Sequence, residues 1–265
     1  MRKNIIITVL LLLSITVNTA YASILGYPIE GGFYMNIGGN AYLYQNLYRS
    51  EQEGVGQQTE HYIEYVPNSD IVPVVTSGGK LFGKRTILEA YDYMRSNGLT
   101  PIAGINADFF SFKTGVPMSN TIIDGNLVTK ESQEQHGIGF KKDGTAFIGW
   151  MDFQTTLITE TQTIDIYNVN KYRQPYTVYL MNEDFSYTTE NETPGLDVIL
   201  GDVSGPMRIG GEITAVVENI LHSSGAIPIP AGKMVLTIDD AAFPDLYEQV
   251  SQLKIGEKVT IKSEA

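Results

Sequence analysis

The chain of 265 residues contains no cysteine, so disulfides, thiol nucleophiles and cysteine-based zinc or iron–sulfur centres are excluded. Histidine is scarce as well. His61, His136 and His222 lie far apart, with no HExxH and no paired-His spacing, so no metal centre is expected. Basic residues are outnumbered, 18 against 30 acidic ones, for a formal net charge of −12. Such a surface repels polyanions, which excludes nucleic acid and anionic lipid as general partners. An anionic ligand then needs a local basic pocket. There is no GxSxG elbow, and "GVGQQ" and "IGG" lack the strand–loop–helix setting of a phosphate loop. Ser-His-Asp catalysis and nucleotide binding are therefore not expected.

Long apolar runs are missing too, with one exception at the start. Arg2 and Lys3 precede the apolar residues 4–17, and Ala20-Tyr21-Ala22 is a small-x-small cleavage pattern. The pattern predicts a secretory signal peptide over residues 1–22, and hence a protein that is secreted or held at a bacterial cell surface, without membrane insertion after cleavage. The run falls short of the ~20 residues that a bilayer-spanning helix needs. Without Arg2 and Lys3 the 18 basic residues become 16, and the net charge moves from −12 to −14. Residues 23–60 are expected to form an extension with the first strands, and residues 61–265 the main region.

What is present in quantity is β-pattern. "HYIEYV" (61–66) alternates, and "DIVPVV" (70–75) is an edge or irregular strand because of Pro73. Two hairpins are expected around Asp124-Gly125 and Asp143-Gly144, each dipeptide lying between apolar runs. Further strands are predicted within 155–169 and at 176–181, 196–200, 211–220, 233–238 and 257–262. One helix is well marked: Thr86 and Glu89 make a capping box, Gly98 supplies a left-handed stop, and Ile87, Leu88, Tyr91 and Met94 share a face. A second helix is expected from Pro244 to Leu253. The predicted class is α+β, a β-rich mixed sheet with a few helices. The polar segment 182–195 is the expected exposed connection between subdomains.

The stretch "GINADFFSFKTGVPMSNTIIDGNLV" (104–128) carries the candidate site. "PIAGIN" (101–106) reads as a strand that delivers Asn106 to a sheet rim. Asp108 then stands against Phe109 and Phe110, a setting that shifts or orients a carboxylate. Gly115 and Pro117 allow a second loop to approach closely. Asn106 alone is also compatible with a strand-ending side chain bonded to its own backbone. His136, just before a strand, is the one histidine retained as a pocket residue. Asp239-Asp240 does not form a shared acid pair, since neighbours on a strand point to opposite faces; a helix N-cap is the better role for one of them.

These motifs, with "HGIGFKKDGTAFIG" (136–149), resemble the N-terminal half of the phosphodiester glycosidase family, the domain shared with N-acetylglucosamine-1-phosphodiester α-N-acetylglucosaminidase. Ala107 stands where the family usually has glycine. The family's Pro-Arg-Thr, Asp-Gly-Arg and Leu-Asp-Gly-Gly-Gly-Ser segments have no counterpart here, so the resemblance implies a truncated member of that fold lacking its C-terminal half.

The resemblance implies hydrolysis of a sugar-1-phosphodiester in envelope or exopolysaccharide glycans. Asp108 is the candidate carboxylate for the oxocarbenium-like transition state, with Asn106 orienting hydroxyls or phosphate. Phe109, Phe110, Lys113, Gly115 and His136 are the candidate substrate-binding residues, Lys113 toward the phosphate. No cofactor is expected, although the chemistry leaves room for a divalent cation. The partner is a carbohydrate or sugar-phosphate ligand. Two alternatives stand beside the enzyme: a non-catalytic carbohydrate or cell-surface binding module, and an adhesive surface domain.

Overall fold

The computed structural model describes residues 26–66, 68, 71–131 and 135–265; the signal-peptide pattern of residues 1–22 lies outside them, as do Pro67, Ser69, Asp70 and residues 132–134. The chain divides into two compact units, residues 1–72 and 73–265.

The first unit is an antiparallel sheet. Its strands are β1 (Tyr27–Pro28), β2 (Phe33–Gly38), β3 (Ala41–Arg49) and β4 (Gln57–Tyr65). The central β3 pairs with β4 along one side and with β2 and β1 along the other. Alternation sorts its side chains: Leu43 and Ile63 pair on one face, while Tyr44 pairs with Tyr34 and Tyr62 on the opposite face.

In the second unit the capped helix forms as its sequence dictates. α1 (Ile87–Ser96) has Thr86 as N-cap, with Thr86 and Glu89 reciprocally bonded, and Gly98 at φ +82° after the C-cap. Its apolar face, however, buries no residue; Ile87 and Leu88 are exposed. The Asp124-Gly125 turn, both residues at positive φ, joins β5 (Thr121–Ile123) to β6 (Asn126–Thr129). β7 (Gln135–Phe140) and β8 (Ala146–Met151) form the second expected hairpin.

The main sheet has eight strands: β9 (Gln154–Ile158), β10 (Thr163–Asp165), β11 (Asn168–Val169), β12 (Val178–Asn182), β13 (Gly195–Gly201), β14 (Gly211–Ser223), β15 (Met234–Asp239) and β16 (Lys258–Glu264). Their order is β10-β9-β16-β14-β13-β15-β12-β11, antiparallel except for the β11–β12 pair. Central β15 is buried at every position, so both sheet faces are covered there. On one face Leu180, Val198, Val217, Leu236, Ile238 and Ile261 join the larger core, with Val250 of α2 (Pro244–Ser251) packed onto it. On the other face Tyr179, Met181 and Val235 pack with Phe185, Ile227, Ile229 and Val116.

Three expectations are corrected. Strands make up 42% of the structure and helices 8%, so the protein is mostly sheet and not a balanced α+β fold. Only two described segments hold a helical period, whereas most of the chain alternates between turn dipeptides. "PIAGIN" is not a strand: residues 102–107 are exposed and belong to no ladder, because no described strand lies beside them to pair their backbone. Segment 182–195 is not an exposed connection either. Phe185, Ser186, Thr189 and Asn191 are buried, and Phe185 fills the second cluster.

Candidate functional site

The loop that carries the sequence-predicted residues is itself a small hairpin. Ser111 N–H donates to the Val116 carbonyl (3.0 Å) and Met118 N–H to the Phe109 carbonyl (2.8 Å), so residues 109–111 run against 116–118. Gly115 makes the turn at φ +77°, and a Cβ there would lie 2.3 Å from the Gly83 carbonyl oxygen. Val116 then pins the hairpin to the sheet by burial in the second cluster. Closing this hairpin places Asp108, just before it, opposite Ser119, just after it.

There the Asp108 carboxylate accepts two hydrogen bonds, from Ser119 Oγ (2.9 Å) and Ser119 N–H (3.2 Å). The Ser119 carbonyl in turn accepts from Lys171 Nζ at 2.9 Å, and Lys171 also donates to the Pro117 carbonyl at 2.6 Å. Lys171 is only 5% exposed. Its burial lowers the ammonium pKa from 10.5 to about 8, opposed by the Glu131 and Asp108 carboxylates. Lys171 follows β11, where Asn170 adopts φ +52° and bonds the Val128 carbonyl and Asn182. That bent exit turns Lys171 toward the hairpin.

Beside this linkage opens a cleft of about 580 Å³. Lys113, Lys171, Tyr172, Arg173, Glu131 and Glu192 supply its polar wall. Lys113 Nζ bonds both Glu192 oxygens (2.9 and 3.0 Å) and lies 4.9 Å from the Tyr172 ring centre. The Glu192 bond raises the Lys113 pKa and leaves it fully charged. Both side chains are exposed, so this ion pair is weak and exchanges readily with a competing anion. Arg173 is different: its side chain is 1% exposed, paired with Asp239 at 3.4 Å and bonded to Thr237 and to the Pro194 and Ile238 carbonyls. It anchors the cleft floor to β15.

Lys113 and Gly115 are thus brought to the site, Lys113 in the cleft wall and Gly115 in the hairpin turn. Asp108 stands beside the cleft and not in its lining. Asn106 is exposed on irregular backbone, two residues from Asp108, so the expected sheet rim does not exist. Phe109 is 84% exposed, and Phe110 meets Phe112 edge-on at 5.4 Å, so neither ring encloses Asp108. His136 is not part of this site. It sits in β7, its ring tilted against that of Trp150 with centres 3.7 Å apart, outside the cleft lining. Asp239 and Asp240 do part company: Asp239 faces Arg173, while exposed Asp240 meets His222 at 2.8 Å. Neither is an N-cap, since Phe243 holds that position of α2 without a side-chain bond.

Sequence reasoning missed Ser119, Glu131, Lys171, Tyr172, Arg173 and Glu192. The available signal was "NKYRQP" (170–175), two cations around a tyrosine in the short polar gap between two strands. Among the described residues no group of three or more His, Asp or Glu side chains is arranged to hold a metal ion. Among them no helix is long and apolar enough to cross a membrane.

No family model matches the sequence, and no curated protein does. Among solved structures, the chain is similar to a hypothetical protein from Synechocystis, with a TM-score of 0.65 and 12% identity. The match covers 89% of this chain and 41% of that one, so this chain spans well under half the length of its structural neighbour, and at this identity the likeness is one of fold alone.

Proposed function

We propose that the cleft beside the Lys171–Ser119–Asp108 linkage binds a sugar phosphodiester and hydrolyses its sugar–phosphate bond, acting on envelope or exopolysaccharide glycans after export. The single observation that carries this reading is that linkage: a carboxylate held by two bonds from Ser119, whose carbonyl is gripped by a buried lysine that itself lines a cation-bearing cleft. The resemblance of residues 104–128 to phosphodiester glycosidases points the same way.

In this reading Lys113 exchanges Glu192 for the phosphodiester, and the Lys171 ammonium adds positive potential behind it. Asp108 stabilises positive charge at the anomeric carbon, or takes a proton from the attacking water. Water adds to that carbon as its bond to the phosphate oxygen breaks. The phosphate leaves with the bonding electron pair. Ser119 keeps the carboxylate aimed through the step.

The test compares hydrolysis of an N-acetylglucosamine-1-phosphodiester by the wild type and by Asp108→Asn. A fall of about a hundredfold or more is expected, in the range for loss of an acid–base group. Equal rates in the two proteins would overturn the role of Asp108. A second reading, a binding module without turnover, is favoured by the position of Asp108 outside the cleft lining. It predicts that the wild type binds the phosphodiester and releases no sugar, and that Lys113→Ala weakens binding.

A further inference from the structure

The first unit carries a second feature, independent of the cleft. Strand register puts ten side chains of β2, β3 and β4 on one face of its sheet. From β2 come Tyr34 and Asn36, from β3 Tyr42, Tyr44, Asn46 and Tyr48, and from β4 Gln58, Glu60, Tyr62 and Glu64. Five are tyrosines and five are amides or carboxylates; Pro28 of β1, opposite Tyr48, is the one aliphatic neighbour on this face. Three of the tyrosines make a ladder across the strands. Tyr34 and Tyr44 stack at 5.9 Å and 22°, and Tyr44 and Tyr62 at 4.7 Å and 4°.

Bonded polar neighbours flank the ladder on the same face. Glu60 accepts from Asn46 (2.9 Å) and from the Tyr48 hydroxyl (3.2 Å), and Glu64 stands opposite Tyr42 on the same face. Tyr44, in the middle, is covered on both ring faces, while Tyr62 at the far end stacks on Tyr44 alone and is 41% exposed. Outermost Tyr34, on edge strand β2, is 70% exposed and leaves one ring face open.

Each class of occupant meets this chemistry differently. An apolar peptide or lipid finds one small aliphatic ring, Pro28, and every aromatic ring carries a hydroxyl. A polyanion is repelled by Glu60 and Glu64. A cation finds Glu60 already bonded by amide and phenol groups and both faces of the central Tyr44 ring covered. A neutral glycan fits: the C–H face of a pyranose ring lies on the open face of Tyr34, and its hydroxyls meet the outward phenol, amide and carboxylate groups along the ladder. We infer that this tyrosine face is a binding site for neutral polysaccharide chains, with Tyr34 as the stacking residue.

The inference does not rest on the hydrolytic reading, and its test leaves Asp108 untouched. The full chain is run by affinity electrophoresis through gels containing a neutral mannan, glucan or galactan, an anionic alginate, or no polymer. Polylysine binding is measured separately by titration. Retardation by at least one neutral polymer is expected, weakened about tenfold or more in Tyr34→Ala and largely kept in Tyr34→Phe. Tyr27→Ala, whose side chain is on the other face, should match the wild type; a melting curve checks that each variant is folded. Failure of all three neutral polymers to retard the chain, preference for alginate or polylysine, or unchanged retardation of Tyr34→Ala would each overturn the inference.

Discussion

Lys171 and Asp108 hold opposite sides of the same residue: the lysine donates to the carbonyl of Ser119, and the aspartate accepts from its N–H and hydroxyl. Substituting Ser119 by alanine removes the shorter of the two bonds to Asp108 and leaves the backbone bonds in place. In the hydrolytic reading, Ser119→Ala should therefore lower kcat while leaving KM close to the wild type, since ground-state binding falls to the cleft cations. A loss confined to KM would contradict a role in aiming Asp108.

Lys171 also makes a prediction about pH. Burial lowers its pKa from 10.5 to about 8, so between those values the unfolded chain holds a proton that the folded chain has released. The unfolded state then binds more protons, and this group's contribution to stability rises with pH across that window; below about pH 8 both states are charged and the slope vanishes. Urea midpoints of the wild type and of Lys171→Met, measured at pH 7 and pH 10, isolate the effect. The wild type should gain on the order of 2 kcal/mol relative to the variant, from about 1.4 kcal/mol per pKa unit. A difference that shrinks or reverses would refute the assignment.

Arg173 is almost fully enclosed, and Asp239 is its nearest acidic partner at 3.4 Å. Replacing Asp239 by alanine strands a buried guanidinium, which costs about 3–5 kcal/mol where one member of a buried pair is removed. Arg173→Met, which removes the cation, should be better tolerated when combined with Asp239→Asn than Asp239→Ala is alone. Chemical denaturation of the double variant and of Asp239→Ala decides this.

Gly115 combines a left-handed φ of +77° with a backbone oxygen 2.3 Å from where a Cβ would sit. Gly115→Ala should loosen the hairpin and its contact with residue 83 while leaving the main sheet intact. Hydrogen exchange at Gly83, whose N–H donates to Thr114 at 2.7 Å, should quicken in the variant while exchange in β13 and β15 stays slow.

Local chemistry was legible in the sequence, and distant chemistry was not. The Thr86–Glu89 box and the Asp124-Gly125 turn lie within a few residues of their partners, and both form as expected. Gly115 was read correctly as a point of close approach, since the need for glycine is written at the position itself. Lys171 escaped notice because its acceptors, Pro117 and Ser119, are 54 and 52 residues away. "PIAGIN" misled because a strand pattern describes suitability for a ladder and says nothing about whether a neighbour is present. The position of His136 before a strand suggests a pocket histidine, but strand pairing sets it against Trp150.

Helix α1 is secured at its start by its own threonine and glutamate and buries none of its residues. Its cohesion is therefore private: melting this one segment sacrifices almost no apolar shelter elsewhere. It can unwind and re-form on its own schedule while the eight-stranded sheet stays whole.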